Sequence, residues 1–285
     1  MRTVRTVDEL RAALAPERRA GRSIGLVPTM GAFHPGHMSL IDRARAECDV
    51  VVVSLFVNPT QFGPAEDLDA YPREESADAA AAAAAGVDLL FAPPVEEVYP
   101  EGFATSVTVM GLTEVLDGHP GRRGPSHFTG VGTVVAKLFN MAGPDVAYFG
   151  QKDAQQALVI RALVRDLDFP VRIEVCPTVR DSDGLAHSSR NAYLSPEERE
   201  RALGLSRALR AAEGRVAAGS TDAEAVLAAA RAELEAAGIE PEYLELRSTR
   251  DLSDVAQVNG STLLAVAARV GRTRLIDNVV LGERQ

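Results

Sequence analysis

The 285 residues, 46% hydrophobic and 25% charged, form an ordinary globular composition on a chain long enough to bury a sizeable core. A formal net charge of −10 leaves no general basic field to draw in nucleic acid or anionic lipid, so anionic ligands need locally basic sites. No apolar run approaches membrane-spanning length, and charged residues stand among the first ten where a signal peptide needs its apolar segment. Cys48 and Cys176 fit neither a metal-site spacing nor a disulfide framework, and a cytoplasmic location is expected.

In chain order, residues 6–20 read as a short amphipathic helix with Leu10, Ala13 and Leu14 on one face. An apolar run at 24–27 is short enough for a buried strand. Pro28, Gly31, Pro35 and Gly36 then break the pattern, and Met38, Ile41, Ala44 and Cys48 resume at helical spacing. The expected unit is strand, tight loop, helix. It aims the helix's free N–H groups and positive dipole end over the loop, which suits phosphate, and His34 and His37 are spaced so that both rings can face one anion.

Residues 49–56 are a continuous β-branched run, as in a central parallel strand covered on both faces, and Asn58 to Gly63 begin at its C-terminal end. An alanine-rich helix at 73–85 ends at Gly86, and 87–92 is the next strand. The segment 93–129 is irregular, with a candidate strand at 105–110 and a Gly/Pro-rich loop at 118–127. A helix at 131–141, a strand at 146–149, a helix at 154–168 and a strand at 171–175 follow. This alternation predicts an α/β fold, a Rossmann-like doubly wound parallel sheet. Near residue 180 the character changes to helices at 196–218 and 222–237 and half-buried strands at 243–247, 263–270 and 274–278. The expected domains are therefore 1–179, binding nucleotide and substrate, and 180–285, a smaller α+β lid.

Only two of the 30 basic residues are lysines, Lys137 and Lys152, and four of the five histidines, His34, His37, His127 and His187, fall in motif-like loops. Compositional bias is the first explanation of so few lysines; where arginine is the default, a lysine inside a motif also hints at a need for a compact ammonium.

The His34-Pro-Gly-His37 sequence is the signature of the nucleotidyltransferase superfamily that includes class I aminoacyl-tRNA synthetases. The surrounding words are Pro28-Thr-Met-Gly31, Phe56-Val-Asn-Pro-Thr-Gln-Phe62, Phe149-Gly-Gln-Lys-Asp-Ala-Gln-Gln156 and Asp183-Gly-Leu-Ala-His-Ser-Ser-Arg-Asn191. Together they closely resemble the pantoate–β-alanine ligase family, from about residue 24 to 195 and more weakly beyond. The resemblance implies that pantoate's carboxylate attacks the α-phosphorus of ATP, giving pantoyl adenylate and pyrophosphate, and that β-alanine's amine then displaces AMP. Such chemistry needs positioning and positive charge around the phosphates rather than an enzyme nucleophile.

By the same resemblance, Met30, Gly31, Ala32, Phe33, His34, Pro35, Gly36 and His37 line the nucleotide pocket, with His37 the proton donor and His34 and Lys152 catalytic beside it. Gly150, Gln151, Lys152 and Asp153 form a second ATP-binding word, in which Lys152 reaches phosphate and Asp153 suits ribose hydroxyls. His187, Ser188, Ser189 and Arg190 form a third, suited to the β- and γ-phosphates, and Val179 matches a position whose backbone meets adenine. Gln61 and Gln156 correspond to the pantoate-binding glutamines, Gln61 also meeting β-alanine, with Asn58 a second-rank neighbour. His127, with Arg122 or Arg123, matches a basic loop that closes over the site. Magnesium is expected with ATP; Asp78 and Asp88 are available carboxylates, but neither lies in a strong motif. A homodimer is implied by resemblance, with no nucleic acid or membrane partner.

The family usually carries Met at Thr60, Glu at Gln151, an aromatic residue at Ala154 and Met or Leu at His187. The reaction is expected to be retained with altered ATP affinity. The competing reading is a catalytically weak nucleotide-binding or regulatory protein of the same fold.

Overall fold

The computed structural model describes residues 1–63, 68 and 71–282. By packing, the chain divides into two compact units. The first is Met1–Gly150 with Val159–Pro177; the second is Gln151–Leu158 with Thr178–Gln285, of which 283–285 lie outside the described residues.

The first unit opens with Arg2–Val4 (β1), a strand without a sequence signal because only Val4 of its three residues is buried. Val7–Arg19 (α1) follows from a capping box: Thr6 accepts the Glu9 N–H, and the Glu9 carboxylate accepts the Thr6 N–H. Ile24–Thr29 (β2), Pro35–Glu47 (α2), Val50–Leu55 (β3), Glu75–Ala84 (α3), Leu89–Phe91 (β4) and the single turn Val95–Val98 (α4) come next. Pro125–Ala142 (α5), Val146–Gly150 (β5), Ala154–Asp166 (α6) and Arg172–Cys176 (β6) complete the set, the unit division running through α6.

The six strands are parallel, in the order β1-β4-β3-β2-β5-β6. Burial on both faces explains the apolar runs. Ile24, Leu26, Val50, Val52, Ala147 and Phe149 face one core with α1 and α5; Val27, Val51, Val53, Val146 and Tyr148 face the other with α2 and α3. β2 lies between β3 and β5, and the chain winds outward from it in both directions. Its C-terminal end therefore borders the topological switch point, where doubly wound sheets bind ligands. Pro28 is tolerated within β2 because it lies beyond the stretch paired with β5.

Two expectations for the middle segment fail. The alternating residues 105–110 form no strand; they run along α5, where the Val107 N–H donates to Thr133 Oγ1 at 2.9 Å and Thr108 and Thr129 hydroxyls lie 2.9 Å apart. Val107 and Val109 still face the core, so burial against a helix produced the period-two pattern. α5 begins at Pro125, six residues before the expected 131, because proline at the first helical position needs no N–H partner.

In the second unit, Pro196–Ala217 (α7) and Ala223–Ala236 (α8) pack on an antiparallel sheet of Pro241–Ser248 (β7), Thr262–Val270 (β8) and Thr273–Leu281 (β9). Leu205, Leu209, Val226, Leu234, Leu264 and Val266 fill its core. The expected α/β sheet and smaller α+β portion are both present.

Candidate active site

In the first unit, the turn between β2 and α2 is held from behind by a carboxylate. Gly31 has φ +90° and Ala32 φ +54°, which turns the successive N–H groups of Ala32 and Phe33 toward one point. Asp78, from the first turn of α3 and 4% exposed, fills that point: its Oδ2 accepts from Ala32 at 2.9 Å and its Oδ1 from Phe33 at 2.7 Å. A Cβ on Gly31 would meet Asp78 Oδ2 and a Leu55 methyl, both at 2.8 Å, so glycine is required twice over.

His34 caps α2: its Nδ1 accepts the Gly36 N–H at 3.1 Å, which leaves Nε2 as the N–H donor. Pro35 has no N–H, and those of His37 and Met38 both reach the His34 carbonyl. The expectation of free backbone donors at this helix end is therefore corrected: the N–H groups are bonded internally. What the turn presents is its dipole and two half-buried imidazoles with ring centroids 4.1 Å apart, Phe33 lying 5.6 Å from His37.

Gln61 sits in a 3-10 turn, Pro59–Gln61, after β3. Asn58 Nδ2 donates to Gln61 Oε1 and to the Gly130 carbonyl, both at 3.1 Å, while Asn58 Oδ1 accepts from Tyr99 OH at 2.7 Å and from Thr60 Oγ1 at 2.9 Å. Every hydrogen-bonding site of Asn58 has a protein partner, which makes it a positioner of Gln61. With Oε1 committed, the Gln61 amide turns Nε2 toward Met30, 2.9 Å from its sulfur. Thr60 thus joins the network, its hydroxyl also 3.2 Å from Tyr99 OH. Burial raises the Tyr99 phenol's pKa, the Thr60 bond partly opposing it. α5 approaches this turn so closely that a Cβ on Gly130 would fall 2.4 Å from the Thr60 carbonyl oxygen.

The basic-loop expectation also changes. His127 lies in the first turn of α5, buried, where its Nδ1–H donates to the Gln61 carbonyl at 2.7 Å. Arg122 donates to the Leu116 carbonyl, and the Arg123 N–H to that of Asp117.

The second unit carries the other expected words. Gly150 ends β5 in the first unit; Gln151 to Asp153 form one 3-10 turn and Gln156 is half-buried on α6. Asn278 of β9 donates to the carbonyls of Gln151 (3.0 Å) and Lys152 (2.8 Å) and accepts from Gln151 Nε2 at 2.9 Å. The side-chain amide of Gln151 is what supplies that donor, which a glutamate could not. Ala154 is buried at the start of α6. The His187 N–H donates to the Val179 carbonyl at 2.9 Å, and Ser188 caps the turn containing Ser189 and Arg190. His187 Nδ1 bonds Asp181, which Arg199 also holds at 2.6 Å. Burial pushes the Asp181 carboxyl up, but Arg199 and His187 outweigh it and the net shift is downward.

Asp78 is committed to backbone, and Asp88 to Arg45 and the Val51 N–H. Among the described residues no group of three or more His, Cys, Asp and Glu could hold a metal ion. Both carboxylates considered for magnesium are thus already held by protein partners. Sequence reasoning missed Asp78 as a brace, Tyr99 behind Asn58, and Asn278; all three act from elements remote in sequence from the motifs they support.

The family model for pantoate-beta-alanine ligase matches residues 2–280. Pantothenate synthetases of Acidobacterium capsulatum and Moorella thermoacetica are both 53% identical, over 99% of this chain and 98% and 99% of theirs. A crystal structure of pantothenate synthetase from Thermus thermophilus aligns with TM-score 0.92 and 50% identity over 99% of this chain and all of that one. A Francisella tularensis pantoate-beta-alanine ligase, complexed with beta-gamma ATP and beta-alanine, aligns with TM-score 0.79 and 33% identity over 98% of this chain and 97% of that one. With the motif turns, the switch-point sheet and these likenesses in agreement over nearly the whole chain, the protein belongs to the pantoate–β-alanine ligase family.

Proposed function

We propose that the chain condenses D-pantoate with β-alanine to pantothenate, with pantoyl adenylate as the intermediate and AMP and pyrophosphate as products. The observation that carries this reading is the imidazole pair at the start of α2, centroids 4.1 Å apart, beside a switch point. In the first step a pantoate carboxylate oxygen attacks the α-phosphorus, and the bond to the leaving pyrophosphate breaks. In the second the β-alanine amine attacks the acyl carbon, and AMP leaves with the bonding electrons.

His34 offers Nε2–H to the triphosphate and His37 donates the proton that the leaving oxygens need; Lys152 neutralises charge developing on them. Ser188, Ser189 and Arg190 hold the outer phosphates, Val179 the adenine and Asp153 the ribose. Gln61 and Gln156 hold pantoate, and Gln61 also meets β-alanine. MgATP is the nucleotide substrate. Supporting substrates of this kind, the Francisella relative is described in complex with beta-gamma ATP and beta-alanine. Residues 1–179 serve nucleotide and pantoate and 180–285 form the smaller domain. A homodimer in the cytoplasm, where the ATP pool lies, completes the reading. Among the described residues no helix is long and apolar enough to cross a membrane.

The test is product identification from MgATP with D-pantoate, with and without β-alanine. AMP and pyrophosphate formed only with pantoate, faster with β-alanine, are expected. ADP would mean the phosphate chemistry is misread. ATP binding without product would revive the regulatory alternative, which about 50% identity to pantothenate synthetases does not favour.

A further inference from the structure

Two adjacent residues of β9 tie down both nucleotide words of the second unit. Strand geometry sends neighbouring side chains to opposite faces, so Asp277 and Asn278 reach in different directions from one point of the backbone. Asp277 is 3% exposed and shares its face with Leu275 and Leu281 of the apolar core. A carboxylate there is costly without a partner, and Arg180 supplies one in a two-pronged pair, Nη1 to Oδ2 at 2.7 Å and Nη2 to Oδ1 at 3.0 Å. Arg180 also donates to the Gly184 carbonyl, closing the base of the turn that precedes His187 to Arg190. On the other face, Asn278 spends both amide N–H groups on the Gln151 and Lys152 carbonyls. Its own backbone N–H goes to Asp277 Oδ1 at 2.8 Å, which links the two anchors.

We infer that Asp277 and Asn278 are positioning residues for adenylate formation. Asn278 fixes the backbone from which Lys152 extends, and Asp277, through Arg180, fixes the turn that carries Ser188 to Arg190. This rests on the reading that Lys152 and Ser188 to Arg190 bind the phosphates of ATP. A flexible lysine side chain cannot place its ammonium unless its own backbone is fixed, and two carbonyls gripped by one amide give that fixity.

The experiment compares Asn278→Ala and Asp277→Asn in the full chain, alone and with Lys152→Ala, following AMP and pyrophosphate formation. Because a misplacement of about 1 Å costs about 100-fold, Asn278→Ala is expected to lower kcat by about 30-fold and raise the ATP KM, with the pantoate KM within about twofold. In the Lys152→Ala background the same change should alter kcat by less than about twofold, since the group it positions is gone. A purely structural residue would still add its full loss there. Should Asn278→Ala not fold, the near-isosteric Asn278→Asp, which lacks both amide N–H donors, carries the same comparison. Asp277→Asn, which acts on the other turn, should raise the ATP KM and stay additive with Lys152→Ala. Additive losses for Asn278→Ala with Lys152→Ala beside an active wild type, or wild-type ATP kinetics in Asn278→Ala and Asp277→Asn, would overturn the anchor alone. A wild type that makes no AMP would overturn the anchor together with the ligase reading.

Discussion

Replacing Asp78 tests whether the catalytic turn is braced from behind. Its carboxylate accepts two backbone N–H groups at 2.7 and 2.9 Å and is almost fully buried. Hydrogen bonds to a charged group contribute about 1.5–3 kcal/mol each, so Asp78→Ala should destabilise the first unit by about 3 kcal/mol at the lower bound. At this chain length that corresponds to a fall in Tm of about 6–12 °C. Ala32 offsets part of this loss, because its left-handed conformation costs about 1–2 kcal/mol that is recovered once Asp78 no longer holds it. Without the brace the residue relaxes, and His34 and His37 move with it. Steady-state kinetics against ATP should show kcat/KM down by about 100-fold.

Asp78→Asn is the sharper variant. It keeps one acceptor but sets an amide N–H against a backbone N–H, so it should lose nearly as much activity as Asp78→Ala while losing less Tm. An Asp78→Asn enzyme with wild-type ATP kinetics would refute the brace.

Asp181 gives a pH signature. Its folded-state pKa lies below the ordinary 3.8, so its contribution is complete above about pH 4 and fades as pH falls through the depressed value. Asp181→Asn should therefore flatten the acid limb of a stability–pH curve below about pH 4. Thr60→Met removes the hydroxyl bonds to Asn58 and Tyr99, and should raise the pantoate KM by about fivefold, the worth of about 1 kcal/mol, with the ATP KM unmoved. Both cysteines are buried and burial pushes the Cys176 thiol up to about 11. A thiol reagent at pH 8 should find neither in the native protein and both after denaturation; rapid native labelling of Cys176 would contradict its burial.

What could be read in advance follows from how far each signal extends along the chain. β2, β3 and β5 are buried on both faces, so their residues are apolar without interruption and their position is plain from sequence. β1 has three residues and one buried side chain, too little to register. The alternation at 105–110 was real, but alternation records which side chains face the core, not whether the backbone pairs with a strand. The motif words stand out because chemistry constrains several neighbours at once. Their supports do not, because each is one residue meeting a motif from another element: Asp78 in an alanine-rich helix, Asn278 in an edge strand, Tyr99 at the end of α4. The donor supply at α2 was misjudged for a related reason, since a helix end looks open in sequence until His34 folds back onto it.

The contact between Gly130 and the Thr60–Gln61 backbone has a consequence for adaptation. α5 carries Val131, Val134, Val135 and Leu138 in the main core on one side and, at Gly130, rests against the Gln61 turn. There is no room for even a methyl group between them, so the glutamine has no slack relative to the packing behind it. A lineage adjusting this core to a hotter or colder habitat shifts α5 by fractions of an ångström, and that shift arrives at Gln61 undiminished. On the proposed role of Gln61 in holding pantoate, thermal tolerance and substrate affinity change together, and variants selected for either should be screened for the other.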